Sequence, residues 1–102
     1  MFKHWFNSNN NDFIRYDVNK SEWILVTRLH DTNSIHPGSF KVSIRNLTST
    51  ESNFLIKNYG FLPVKEKNVK NKKRQLYNRS YKKITYPNKK EIRDIIMNDI
   101  LD

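Results

Sequence analysis

The chain has 102 residues, 19 Lys and Arg against 10 Asp and Glu, a formal net charge of +9 and no cysteine. That length fits one domain, and the missing thiols exclude a disulfide scaffold, a cysteine nucleophile, thiol redox chemistry and a thiolate metal site. No apolar run approaches the roughly 18 residues of a membrane span, and residues 1–6 lack the apolar stretch of a secretory signal, so a cytoplasmic protein with no membrane partner is expected.

Residues 1–6 read as an apolar arm, set off by the polar linker Asn-Ser-Asn-Asn-Asn-Asp at 7–12. One α+β domain is expected over 13–102. Its first strand is marked by Ile14, Tyr16 and Val18 alternating with Arg15 and Asp17, the period-two pattern of a half-buried strand. Asn19-Lys20 offers a tight turn. Residues 22–30 are apolar on both faces near their middle, which predicts a central strand. A loop at 31–39 is punctuated by Pro37-Gly38. Phe40, Val42 and Ile44 then alternate with Lys41, Ser43 and Arg45, predicting a third strand whose apolar side turns inward.

Thr48 and Glu51 stand in capping-box spacing, where each side chain satisfies a backbone N–H left free at a helix start. The helix they open carries Phe54, Leu55, Ile56 and Tyr59. It ends at Gly60, which tolerates the left-handed conformation of a Schellman turn and lets Phe61 pack back on Ile56. A strand from Phe61 to about Val69, a turn at Asn71-Lys72 and a strand from Leu76 to Tyr86 make a hairpin over 61–86. Asn88 caps a last helix over 88–101, with Glu91 three residues on and an apolar stripe of Ile92, Ile95, Ile96 and Ile100. The element order is βββαββ followed by a C-terminal amphipathic helix. About five mostly antiparallel strands in this order suit an open sheet with helices on one face, or alternatively an OB-like barrel.

Charge is concentrated in one stretch. Residues 65–90 hold eleven cations against the single acid Glu66, while residues 1–64 carry a net +2 and residues 91–102 a net −3. So dense a basic segment repels itself unless an anion neutralises it. On the predicted strand 73–86, Leu76, Ile84 and Tyr86 turn to the core, and Lys73, Tyr77, Arg79, Tyr81 and Lys83 turn outward. Cations there would neutralise phosphates and flat rings would stack on bases. The neighbouring strand adds Lys65, Lys67 and Lys70, the turn adds Lys72, Lys73 and Arg74, and Lys82 extends the segment. Such a hairpin also suits a duplex groove. Lys89 and Lys90 sit in the first turn of the last helix, where they oppose its dipole. Beside free backbone amides they make a place for an anion, and hairpin and helix tip together are expected to form one continuous cationic surface.

These features point to a small, non-enzymatic protein that binds DNA or RNA through the phosphate backbone. The alternative is a small inhibitor or regulator whose basic face engages an acidic or nucleic-acid-binding site on a host protein. Asn (14), Lys (13) and Ile (10) dominate the composition, as in the AT-rich genomes of low-GC bacteria, their phages and plasmids and some large viruses, and the regulator reading expects a phage or mobile element as its source. Phe2, Trp5 and Phe6 either close the core or dock on a partner, a second copy included. A third reading, an endoribonuclease toxin, would recruit Glu22, His30, His36, Arg79 and Tyr81 as acid, base and phosphate clamp, but no spacing brings them together. His4, His30 and His36 show no metal-ligand spacing. With glycine only at 38 and 60, there is no phosphate loop and no nucleophile elbow, so no catalytic residue, metal or cofactor is assigned. The sequons at Asn46 and Asn78 carry weight only in a secreted chain.

Overall fold

The segment expected to stand apart as an arm supplies three residues, His4 to Phe6, of an interior strand. The computed structural model describes residues 2–30, 40–76 and 84–101. Its sheet comprises β1 (His4–Asn7), β2 (Asp12–Asp17), β3 (Glu22–His30), β4 (Phe40–Leu47) and the two-residue β5 (Leu62–Pro63). All pairings are antiparallel and the spatial order is β4-β3-β2-β1-β5. Three helices complete the fold: α1 (Ser49–Asn58), α2 (Glu66–Leu76) and α3 (Lys89–Leu101). The α+β class, the open antiparallel sheet and the C-terminal helix are as the sequence predicts. Because β4 and β5 form two separate margins, the sheet does not close and the barrel alternative is set aside.

The N-terminal reading is corrected by the way β1 is buried on both faces. Trp5 lies opposite Ile14 and Phe6 opposite Phe13. The Trp5 ring stands 5.2 Å from Trp23, and the Phe6 ring 5.0 Å from Phe13. Each large side chain gains about 1.5–3 kcal/mol by leaving water, and only a strand can send neighbours to opposite cores. Phe2 alone stays out, 43% exposed.

The linker of 7–12 is also corrected: it is a buried hairpin turn joining β1 to β2. Asn7, Asn10, Asn11 and Asp12 are all buried, which is tolerable only because their polar atoms find partners. Asn7 Nδ2 donates to the Tyr59 carbonyl at 2.7 Å, and Asn7 Oδ1 accepts from the Asn9 N–H at 3.0 Å. Asn10 Oδ1 accepts from the Asp12 N–H at 3.0 Å. Asn10 Nδ2 donates to the Tyr86 hydroxyl at 2.8 Å, which in turn donates to Asp12 Oδ2 at 2.6 Å. Asn11 adopts φ 62°, a left-handed conformation that asparagine enters more readily than most residues.

Alternation divides the sheet into two cores. On one face Ile14, Leu25 and Leu47 join Leu55 of α1, Phe61, Tyr86 and Ile92 of α3. On the other, Phe6 and Phe13 join Val64 and Val69 of α2. Helices therefore cover both faces rather than one. The expected inner side of β4 is reversed as well. Its register sets Arg45 beside Leu25 and Ile44 beside Val26, so Arg45 and Leu47 face α1 and α3, while Val42 and Ile44 face the side of α2.

The helix ends follow the sequence closely. In α1, Glu51 N–H donates to Thr48 Oγ1 and Thr48 N–H to Glu51 Oε1, both at 3.2 Å. Gly60 follows with φ 78°. Asn88 and Glu91 repeat the reciprocal pair at α3, at 2.8 and 3.3 Å. Ile92 is buried and Ile96 half-buried, but Ile95 is exposed.

Among the described residues the 61–86 hairpin is not formed. Its first half is β5 plus a helix, and residues 84–88 run without regular structure. Val69 is buried on the inner side of α2 and Lys72 is half-buried there, its ammonium 5.1 Å from the centre of the Phe6 ring. The aliphatic stem of a lysine covers apolar surface, so α2 needs few apolar residues. Glu66 in its first turn and Lys73 and Arg74 in its last turn complement the helix dipole.

The buried hydroxyl gives two expectations. Tyr86→Phe leaves Asp12 and Asn10 short of a partner and should lower stability by about 1–3 kcal/mol, read from urea unfolding at neutral pH. Burial, together with the hydrogen bond to Asp12 and that carboxylate's charge, pushes the Tyr86 pKa above its ordinary 10.0. The unfolded chain then loses this proton first as pH rises. Stability should hold below pH 10 and fall above it by up to about 1.4 kcal/mol per pH unit. The Tyr86→Phe chain should lack that part of the alkaline slope.

Candidate nucleic-acid interface

Seating α2 by Val69 and Lys72 fixes what its other side presents. Lys67, Lys70 and Arg74 recur at three- and four-residue spacing and so share the outward side of the helix. At 1.5 Å per residue, Lys67 and Arg74 lie about 10 Å apart along the axis. Asn71 lies between them, and all four are exposed. Lys65 stands just before the helix, its carbonyl accepting from the Asn68 N–H at 2.8 Å. Among the described residues the one ion pair is Arg45 to Glu51, 3.0 Å between Nη2 and Oε2. The cations of α2 have no carboxylate partner there.

Other residues singled out in the sequence are placed differently. Lys72 is engaged with Phe6 and Lys73 turns toward the sheet. Lys89 and Lys90 open α3, which packs in the core on the opposite face from α2. They do not extend the α2 row, so among the described residues the expected surface falls into two patches. Lys89 instead borders a cavity of ≈ 340 Å³ with Thr48, Thr50, Glu51, Arg93 and Met97. Trp5 and Phe6 belong to the cores. Glu22 pairs with Asp17 at the start of β3 and His30 ends that strand. Tyr77, Arg79, Tyr81, Lys82, Lys83 and His36 lie outside the described residues.

A second feature escapes sequence reasoning. Beside α2, a groove of ≈ 230 Å³ is lined by His4, Phe13, Arg15, Val26, Val42, Ile44 and Lys73. His4 and Arg15 are direct partners across β1 and β2, so their meeting becomes legible only once residues 4–7 are read as a strand. Arg15 Nε is buried with no hydrogen-bond partner. Burial first, and then the charge of Lys73, holds the His4 pKa below its ordinary 6.5. Arg15 and Lys3 add to this, while Glu66 pulls the other way. The groove is thus apolar at its base and positive in potential.

Comparisons with family models, with curated proteins and with solved structures find no match to this chain. The functional reading therefore rests on the site's own chemistry.

The field in the groove can be measured at His4. Its imidazole should titrate below pH 6.5 in an NMR experiment, and Lys73→Gln should move the midpoint upward. The unfolded chain binds this proton more readily, so the stability tied to His4 is complete above pH 6.5 and declines as pH falls below it.

Proposed function

We propose that this chain binds nucleic acid through the phosphate backbone and without catalysis, using the outward row of α2. The observation that carries this reading is the row Lys67, Lys70 and Arg74, with Lys65 just before it, none of them with a carboxylate partner among the described residues. A helix crowded with like charges is strained by its own repulsion. Phosphates relieve that repulsion and release their condensed counterions, a gain that falls linearly with the logarithm of salt concentration. Rigid support matters too: α2 rests on Phe6, Phe13 and Val64, so its cations are held in place rather than on a loose tail. Phosphate contacts of this kind position a nucleic acid without reading its sequence.

The test is the salt dependence of binding to single-stranded and duplex oligonucleotides. Lys67→Ala, Lys70→Ala and Arg74→Ala combined should flatten the single-strand slope of log K against log salt by about 2, at roughly 0.7 per phosphate contact. Lys89→Ala with Lys90→Ala, across the sheet, should leave the slope unchanged. If the wild-type chain shifts no DNA or RNA even at about 0.05 M salt, the reading fails, and capture of an acidic host protein becomes the competing account to pursue.

A further inference from the structure

We infer that the groove between α2 and the β3–β4 half of the sheet takes one unstacked base of a single-stranded nucleic acid, with the adjoining phosphate held by Arg15 and Lys73. This rests on the reading of α2 as a phosphate-binding helix and names the kind of strand it selects.

Four observations lead there. First, the size is right for one ring system: ≈ 230 Å³ is below the roughly 300–1,000 Å³ of sites that enclose a drug-sized ligand. Second, the base of the groove is apolar and uncovered by any described residue. Val42 is 39% and Ile44 62% exposed, and they adjoin half-buried Val26 and the buried ring of Phe13. Third, the polar lining is His4, Arg15 and Lys73, and no carboxylate is among the described residues that line it. A neutral apolar guest would leave these groups unused, whereas a base carrying a phosphate meets both parts of the lining. Fourth, Arg15 Nε is a buried donor without an acceptor, and a planar guanidinium both bonds phosphate oxygens and stacks on flat rings.

The chain's own geometry supplies continuity. Lys73 belongs to the groove and Lys70 stands one helical turn before it, about 4.5 Å along the axis of α2. A strand leaving the groove would therefore run onto the outward row. Bases in a duplex are paired and stacked and cannot enter without being extruded, so the groove favours single strands.

Binding of a fluorescent oligothymidylate of about twelve nucleotides is compared with that of an abasic strand of equal length and charge. The wild-type chain should bind the abasic strand about tenfold more weakly, the scale of one base stacked on a protein surface. The double variant Val42→Ser, Ile44→Ser alters two exposed side chains, and circular dichroism confirms its fold. It should lose the tenfold preference while keeping its affinity for the abasic strand. Equal wild-type affinity for the two strands, or a preference that survives in the double variant, overturns the inference and leaves phosphate binding by α2 intact. Failure of the wild-type protein to bind either strand at low salt overturns both.

Discussion

Near the end of the chain, the hydroxyl of Tyr86 reaches back 74 residues to Asp12 and 76 residues to Asn10. There it closes a turn whose polar side chains would otherwise be buried at high cost. The arrangement is cooperative, because Tyr86 is itself held by rings: Tyr59 at 5.3 Å edge-on and Phe61 at 5.8 Å. The same Tyr59 offers its carbonyl to Asn7. Fixing the turn fixes β1, and β1 is what gives both cores their aromatic centre. Without it β5 has no partner and α2 loses Phe6, the ring on which Val69 and Lys72 converge. A polar turn thus governs an apolar architecture.

The two faces of the sheet are finished to different degrees. One face is covered by α1 and α3, and Arg45 ties these helices together. The Arg45 guanidinium reaches Glu51 in the first turn of α1 at 3.0 Å and the Pro87 carbonyl just ahead of α3 at 2.9 Å. The other face carries only α2 among the described helices, set over β1, β2 and β5. Val42 and Ile44 are left uncovered beside cations. A chain this short has little surface to give up to a core, and among the described elements two helices cover one side while one covers part of the other.

What the sequence made legible follows how local each signal is. Both capping boxes span four residues and read correctly, as does Gly60 at the end of α1, because their physics is complete within one turn of backbone. Strands β2, β3 and β4 were visible from alternation, but the side that faces inward was not. Ile44 and Arg45 exchange their expected environments because the register with β3, not hydrophobicity, decides it. The helix α2 was hidden for another reason. Its buried stripe is Val69 joined by a lysine stem, so a pattern search that counts lysine as polar finds no stripe. Residues 7–12 misled because six polar residues resemble a linker until Tyr86, far along the chain, is placed against them. For the site, cationic residues at 65–74 were apparent from composition alone. The groove was not, since His4 and Arg15 come together only through the β1–β2 pairing.

The margins of the sheet have a consequence for how copies of this chain could join. The Val64 N–H donates to the His4 carbonyl at 2.9 Å, so the alternate position, Pro63, turns its edge away from β1, and proline has no N–H to offer. That margin is also only two residues long, a common device for repelling an incoming strand. At the opposite margin β4 runs eight residues and pairs with β3 alone among the described strands. Among the described strands only β4 is therefore long enough at its free margin to pair with a strand from outside.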